Sequence, residues 1–282
     1  LEDQAAKGEI RKIKIGKKEE KIGVITLPTF YMDFEGFRKK DPDYKSTTRD
    51  VQKLIEGFKK EKVKGIVLDL RNNGGGSLIE AINLTGLFID NGPVVQVKNL
   101  DQSIDVESDA NSGKIWDGPL AVLVNRGSAS ASEIFAAAIQ DYNRGIIMGE
   151  KTFGKGTVQN LISLDDYISS KNKSGELKIT VAKFYRINGS STQLKGVMPD
   201  ILFPGFYSSK EFGEEENEYA LAWDQIRSAP FMDDGSVTKV KELLISSSKP
   251  RVESNILYKN LIDDIAAVNE IRNKKYVTLN LE

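Results

Sequence analysis

Three serines alternate with alanines in the stretch Ser128 to Ser132, where an apolar segment gives way to a helical pattern. A serine at the start of a helix lies beside backbone N–H groups that have no acceptor within the helix, and beside the positive end of the helix dipole. This position suits an oxygen that develops negative charge, as in nucleophilic attack on a carbonyl. The stretch therefore predicts a serine nucleophile, with Ser128, Ser130 and Ser132 as candidates.

The composition limits the base that could activate such a serine. The chain contains no histidine and no cysteine. Serine–histidine–aspartate triads, cysteine–histidine dyads, histidine-based metalloproteases and Cys/His zinc sites are therefore excluded. The remaining bases are lysine, aspartate, glutamate and an N-terminal amine, and lysine is the best-attested partner of serine.

Lys155 is the lysine that fits this role best, because it stands between Gly154 and Gly156. An ordinary lysine has a pKa of about 10.4, so keeping it neutral at pH 7 costs about 4.6 kcal/mol. Burial can lower a lysine pKa by about 3–5 units, and flanking glycines let the backbone approach closely enough to exclude water. The alternative is an ordinary exposed loop lysine.

A glycine triplet, Gly74 to Gly76, ends a continuous apolar segment and precedes a second helical pattern. One interpretation is a tight strand-to-helix turn. The other is a cradle of backbone N–H groups for an anion or oxyanion at a helix N-terminus. A phosphate-binding P-loop is excluded because no Gly-Lys-Ser/Thr follows, and the spacing does not fit dinucleotide binding.

Apolar runs and helical patterns alternate along the chain, which predicts an α/β fold with covered sheet faces. Strands are predicted at 22–27, 63–70, 93–97, 120–124, 146–148, 157–164 and 176–187, and helices at 47–60, 77–88 and after residue 130. The C-terminal part is predicted to be helical, notably residues 255–274, whose apolar stripe we interpret as core or docking surface. Its members are Leu257, Leu261, Ile265, Val268 and Ile271.

Length and charge give weaker information. The 282 residues carry a net charge of −1, with 29% charged and 39% hydrophobic residues, which is an ordinary globular profile without a basic excess for nucleic acid. No apolar run is long enough to span a bilayer, and a disulfide framework is excluded. The chain begins at Leu1 without a signal peptide, so we expect an excised fragment or a processed form.

Several stretches, in order, resemble the C-terminal processing (tail-specific) serine peptidases, above all the long cell-envelope members. They are VLDLRNNGGGSLIEA, GLFIDNGPVVQV, LVNRGSASASEIFAAAIQDY, GEKTFGKGTVQ and FYRINGSSTQLKGVMPDI. The resemblance implies a ClpP/crotonase-like core of ββα units with a mainly helical C-terminal extension. It also implies an ATP-independent endopeptidase of the periplasm or cell envelope, without metal or cofactor.

By position, the resemblance implies that Ser130 is the nucleophile, Lys155 its general base, and Gln159 the residue that orients the lysine. The oxyanion hole would use the backbone N–H groups of Gly76 and Ala131. From the residues alone, Lys155 and Gln159 lie four apart on an extended segment, so they are expected to face the same side.

The resemblance also divides the chain. Residues 1–20 would be an arm or linker from a missing PDZ-type module, residues 21–205 the peptidase core, and residues 206–282 a truncated helical extension. Related enzymes usually carry a PDZ domain that captures the C-terminus of the substrate by strand addition. The expected partners are proteins or peptides with accessible C-terminal tails, and an adaptor protein.

Three other classes compete with this interpretation. The first is a non-catalytic peptide-binding fragment that keeps the fold but not the aligned dyad. The second is a Ser-x-x-Lys hydrolase of the penicillin-binding type, whose spacing recurs at residues 170–173 and 246–249. The third is a carboxylate-based hydrolase that uses a pair such as Asp165 and Asp166, although adjacent acids in a polar loop are usually solvated.

Overall fold

A computed structural model of the chain describes residues 2–109, 111, 113–167, 174–207, 211–274 and 276. The strands are β1 Lys7–Ile15, β2 Lys18–Thr26, β3 Ile66–Asp69, β4 Gly92–Asn99, β5 Ile104–Asp109, β6 Leu120–Val124, β7 Ile146–Gly149, β8 Thr157–Ser163, β9 Glu176–Tyr185 and β10 Ile201–Leu202. The helices are α1 Phe34–Arg38, α2 Thr47–Lys60, α3 Leu78–Gly86, α4 Ala131–Asp141, α5 Lys241–Glu253 and α6 Ile256–Asn273.

The larger sheet has six strands in the order β1-β2-β3-β6-β7-β10. Strands β2, β3, β6, β7 and β10 are parallel to one another, and β1 pairs with β2 in the antiparallel direction. The short apolar runs of β3 and β6 are typical of strands that are covered on both faces. This arrangement confirms the predicted α/β core.

Helices between the parallel strands supply the core. In α2 the predicted stripe is buried at Val51, Ile55 and Phe58. Ser46 caps this helix by accepting a hydrogen bond from the N–H of Arg49, and the helix begins and ends where the sequence pattern predicts. Helices α3 and α4 pack on each other, and Phe88 meets Phe135 edge to face. This packed pair of helices begins directly after the two loops that carry the glycine triplet and the serines.

A second, antiparallel sheet has the order β5-β4-β9-β8. The sequence pattern predicts the strand at 93–97 as one more unit of the alternation, but β4 belongs to this second sheet and pairs with β5 and β9. An apolar run indicates a buried strand without indicating its partner, which explains the error. β5 was not predicted.

The N-terminal segment is more regular than the expected arm. β1 and β2 form a hairpin with continuous register from Lys7 opposite Thr26 to Ile15 opposite Lys18. All nine residues of β1 are exposed. Only Gly23 to Thr26 of β2 continue the pairing into β3, so the hairpin projects beyond the sheet.

The C-terminal part has two different halves. Residues 211–231 run along the core in mostly irregular backbone with one short 3-10 helix, Glu214–Glu216, and Ile226 donates to the carbonyl of Gly189 and Ala229 to that of Ile187. Helices α5 and α6 follow and contact each other, and neither has a buried residue. The prediction of the helix at 255–274 is confirmed, but its stripe is not core, because Leu257 is 74% exposed and Ile271 67%.

Among the residues that the structure describes, no helix is both long and apolar enough to cross a membrane.

Candidate active site

Three loops meet at one edge of the larger sheet. The glycine triplet follows β3, the serines follow β6, and Lys155 follows β7, and these three strands are consecutive neighbours in the sheet. Because the strands are parallel, their carboxyl ends lie at the same edge, which is where α/β proteins build their sites. The fold therefore brings together residues that are about 80 positions apart in the chain.

The glycine turn requires glycine at Gly75 and Gly76, which both have positive φ. Gly76 has φ +138°, and a Cβ there would lie 2.2 Å from the carbonyl oxygen of Phe30. The N–H of Gly75 donates to the side chain of the buried Asn73, at 2.9 Å, and the N–H of Ser77 donates to Phe30, also at 2.9 Å. Gly76 itself lines the cavity of the site. Gly76 is thus required by the close approach of Phe30, and it also places its backbone at the cavity wall.

The three serines have different surroundings. Ser128 Oγ donates to the carbonyl of Leu70 at 2.8 Å, and Ser132 Oγ donates to that of Asn73 at 2.8 Å. Both serines are fully buried, so their hydroxyls tie the start of α4 to the glycine turn. Ser130 is half-buried, makes no capping hydrogen bond with its side chain, and lines the cavity.

Ser130 is also held in an unusual backbone conformation. It has φ +56° and ψ −114°, a region that non-glycine residues rarely occupy. It directly precedes Ala131, the first residue of α4, whose N–H has no acceptor within the helix. A strained serine on a sharp strand-to-helix turn, with its hydroxyl presented to a cavity, has the geometry of a nucleophile elbow.

Glu133 connects the serine loop to the lysine loop. Its carboxylate is fully buried and accepts hydrogen bonds from the N–H groups of Ser130, Gly154 and Lys155 at 2.8, 2.7 and 2.9 Å. It also accepts from the hydroxyl of Thr152 at 2.6 Å. Burial raises the pKa of Glu133 to about 7, against the lowering effect of these four hydrogen bonds.

Lys155 is half-buried, and its Nζ donates to the carbonyl of Thr157 at 3.1 Å. Burial lowers the pKa of Lys155, and the nearby cation of Lys178 lowers it further, whereas Glu214 and Glu133 oppose both effects. The flanking Gly156 allows close approach, because a Cβ there would lie 2.7 Å from the backbone nitrogen of Gln193. The environment thus favours the neutral amine more than water does.

A cavity of about 310 Å³ joins these groups. Lys155, in the loop before β8, and Gln159, on β8, both lie on its wall. Val158 lies on the same wall and the register of β8 shifts between Val158 and Gln159, so the alternation of an extended segment is not what brings the two residues together. All five residues of the predicted site line this cavity: Gly76, Ser130, Ala131, Lys155 and Gln159. Its other walls are largely apolar, from Leu78, Ile134, Val158 and Phe184.

Sequence reasoning missed three residues around the site. Glu133 was detectable, because Ser130-x-x-Glu133 has the spacing of a helix capping box. Lys178 lies on β9, within the strand predicted at 176–187, and lines the cavity, but a strand pattern does not indicate which of its lysines faces a site. Gln193 is fully buried and accepts from the N–H of Gly156 at 2.8 Å, a contact between distant loops that no local pattern encodes.

The structure gives no support to the Ser-x-x-Lys match at 246–249 or to Asp165 as a catalytic carboxylate. Residues 246–249 lie within α5, which has no buried residue, and each of the serine hydroxyls there donates to a carbonyl of its own helix. Asp165 is exposed and accepts from the N–H of Ser174. The other Ser-x-x-Lys match, at 170–173, lies outside the described residues.

Two family models match the chain. The model of Peptidase family S41 matches residues 21–203, and the model of the C-terminal domain of tail specific protease matches residues 207–282. The cavity residues described above all lie within the first match.

Curated relatives agree with these models. The chain is 44% identical to the tail-specific protease of Haemophilus influenzae over 284 residues, which cover 99% of this chain and 38% of the relative. It is 34% identical to the chloroplastic C-terminal processing peptidase of Tetradesmus obliquus over 66% of this chain and 36% of that protein. The chain thus spans less than two-fifths of the length of these relatives.

Solved structures resemble the fold. The photosystem II D1 C-terminal processing protease matches with a TM-score of 0.56 and 32% identity, over 70% of this chain and 48% of that one. Mature CPAF in complex with lactacystin matches with a TM-score of 0.56 and 16% identity, over 84% of this chain and 54% of that one, which is a likeness of fold.

Proposed function

Because the chain belongs to peptidase family S41, we propose that it is the catalytic part of an ATP-independent serine endopeptidase with a Ser130–Lys155 dyad. The observation that carries the proposal is one cavity lined by both a strained Ser130 and a half-buried Lys155. A lysine base suits a chain that contains no histidine. Gln159 on the same wall is proposed to orient the amine.

In the first step, neutral Lys155 accepts the proton of the Ser130 hydroxyl while the oxygen attacks a peptide carbonyl. Lys155 then donates that proton to the leaving amine, and an acyl-enzyme forms. A water molecule, activated by the same amine, hydrolyses the ester and releases the new carboxyl terminus. Burial of Lys155 supports this role, because it favours the uncharged form that the first step needs.

The oxyanion is proposed to be bound by the N–H groups of Gly76 and Ala131, each worth about 3–4 kcal/mol to the transition state. Three features support this: the start of α4 at Ala131, the positive φ of Gly76, and the position of both residues on the cavity wall. The helix dipole of α4 adds to the stabilisation of negative charge at this point.

We further propose that the substrates are proteins with accessible C-terminal tails and that the enzyme acts in the periplasm or cell envelope, with an adaptor as an additional partner. Residues 21–205 would form the peptidase core, residues 206–282 a helical extension, and residues 1–20 a connection from a PDZ-type module. These proposals rest on the similarity to tail-specific and C-terminal processing proteases.

The test uses a fluorophosphonate probe and a model protein with an unstructured C-terminal tail, without ATP and with a metal chelator. The parent chain is expected to be labelled at Ser130 and to cleave the tailed protein. Lys155→Ala is expected to lose both reactions while keeping its fold. Near-normal turnover of Lys155→Ala would show that the base assignment is wrong.

The competing proposal is a peptide-binding fragment without an aligned dyad. A chain that binds the tailed protein, yet is not labelled at Ser130 even with a PDZ-bearing version added, would favour it. Lys53→Ala is the control, because Lys53 is an exposed lysine on α2 and does not line the cavity.

A further inference from the structure

Residues 211–217, which we call the brace segment, cross the loop that carries Lys155. This segment lies in the region matched by the second family model, outside the S41 match. Phe212 packs edge to face on Phe153, with ring centroids 5.7 Å apart. The N–H of Glu214 donates to the carbonyl of Phe153 at 3.1 Å. The segment therefore contacts the lysine loop through both backbone and side chains.

A buried amide transmits this contact to the residue next to the base. Gln193 Nε2 donates to Glu214 Oε1 at 3.0 Å, and Gln193 Oε1 accepts from the N–H of Gly156 at 2.8 Å. Gln193 is fully buried, so both ends of its amide are in fixed use. A chain of two hydrogen bonds thus runs from Glu214 to the peptide that follows Lys155.

The opposite side of the lysine loop is held from the core. The carboxylate of Glu133 accepts from the N–H groups of Gly154 and Lys155. Between these two supports, the backbone of residues 154–156 is fixed by one carboxylate on α4 and one amide linked to the brace segment. Loss of either support would let the base move relative to Ser130.

We propose that the brace segment positions the base loop, and that Glu214 and Gln193 form the positioning pair that couples residues outside the S41 match to catalysis. Neither residue lines the cavity, so both act through Gly156 and Lys155. The coupling makes alignment of the base depend on docking of the C-terminal region. The turnover measurements that test this proposal rest on the proposed function, whereas the hydrogen–deuterium exchange measurements do not.

The test swaps the carboxylate and the amide between positions 193 and 214. Gln193→Glu opposes two carboxylates, breaks the pair, and is expected to lower kcat on the order of 100-fold, with KM little changed, because small displacements of a base are costly. Glu214→Gln keeps a hydrogen-bonding group and is expected to cost only about threefold. Together the two changes recreate a carboxylate–amide pair, so the double variant is expected to return to within about threefold of the parent.

The pH profile separates positioning from general damage. The charge of Glu214 raises the pKa of Lys155. In Glu214→Gln this effect is lost, the pKa of Lys155 falls, and the acid limb of kcat is expected to move to lower pH. Glu216→Gln is the matched control, since Glu216 is exposed in the same turn. It should neither move the limb nor rescue Gln193→Glu.

Hydrogen–deuterium exchange of the peptide that contains residues 153–157 gives a readout without turnover. Exchange is expected to be faster in Gln193→Glu, and to return to the parent rate in the double variant. Should Gln193→Glu fail to fold, Glu214→Ala replaces it, because it removes the acceptor of Gln193 Nε2 at a half-buried position.

Parent-like turnover and exchange in Glu214→Ala and in a folded Gln193→Glu would overturn the proposal, as would equal rescue by Glu216→Gln. A parent chain without peptidase activity would contradict the proposed function instead. The exchange rates would then decide on the brace segment alone: faster exchange restored by the double variant supports it, and unchanged exchange refutes it.

Discussion

Helices α4 and α6 have the same helical spacing of apolar residues in the sequence but very different surroundings in the structure. In α4, nine consecutive residues from Ala131 to Ile139 are buried. In α6 no residue is buried, although Leu261, Ile265 and Val268 of the predicted stripe are half-buried. Helical spacing indicates a helix with an apolar face, whereas burial depends on partners elsewhere in the chain.

The difference extends to hydrogen bonding. At the start of α4, Glu133 and the hydroxyls of Ser128 and Ser132 connect the helix to the lysine loop and the glycine turn. α6 begins with a local cap, in which Asn255 accepts from the N–H groups of Leu257 and Tyr258. Substitutions at the start of α4 should therefore affect chemistry or folding, depending on the contact they remove, and those on α6 should affect neither strongly.

The largest effect is expected for Ser130→Ala, compared with Ser132→Ala. Ser130→Ala removes the proposed nucleophile and should lower kcat on the order of 10⁴-fold or more, with little change in stability, because its hydroxyl makes no capping bond. Ser132→Ala removes a buried hydrogen bond to Asn73 and should cost about 1 kcal/mol of unfolding free energy. Tail cleavage and urea unfolding measure the two effects.

The outcome distinguishes Ser130, which the resemblance singles out, from the neighbouring candidate Ser132. Equal losses of turnover in Ser130→Ala and Ser132→Ala, at equal stability, would contradict the assignment of Ser130. A stability loss in Ser130→Ala as large as that in Ser132→Ala would show that the side chain of Ser130 also has a structural role.

The second largest effect is expected for Glu133→Gln. A glutamine offers one acceptor oxygen where the carboxylate accepts four hydrogen bonds, and its amide protons would face the donors. Both loops of the dyad should shift, and kcat should fall on the order of 100-fold. Thr48→Val is the control, because it removes a hydroxyl bond to another buried carboxylate, Glu80, away from the cavity.

Glu133 should also contribute a pH dependence of stability. Its pKa is raised from 4.5 to about 7 by burial, so the protonated form is favoured in the fold. The stabilisation of the fold by protonated Glu133 is fully present below pH 4.5 and is lost as the pH rises through about 7. The difference in unfolding free energy between parent and Glu133→Gln should therefore fall across that window. A constant difference would show that Glu133 keeps an ordinary pKa.

Much of this arrangement could be predicted from local patterns. The limits of α2 and β6, the serine turn and the glycine turn each follow from a few neighbouring residues. The roles of Ser130, Lys155 and Gln159 came from a resemblance, and the structure adds their common cavity. Contacts between distant loops, such as Gln193 with Gly156 and Glu214, have no local signature. The same holds for the assignment of β4 to a second sheet.

A smaller effect is expected for Lys178→Met, which tests whether the second cation of the cavity tunes the base. Lys178 lowers the pKa of Lys155. Its removal should raise that pKa, so the acid limb of kcat should move to higher pH and turnover below the limb should fall several-fold, as expected for loss of a nearby like charge. Lys259→Met, an exposed substitution on α6, is the control. An unchanged limb would show that Lys178 is solvated and does not act on Lys155.

The smallest effect is expected for Ile271→Ala on α6, matched by Ile147→Ala in β7. Ile147 is fully buried, and its truncation should cost about 2–5 kcal/mol through lost transfer energy and a cavity. Ile271 is 67% exposed, so Ile271→Ala should change the free energy of unfolding by no more than about 0.5 kcal/mol. Urea unfolding of both variants makes the comparison. A loss of 2 kcal/mol or more in Ile271→Ala would mean that the apolar stripe is covered in solution, by α5 or by another molecule, and that α4 and α6 are less different than their exposure indicates.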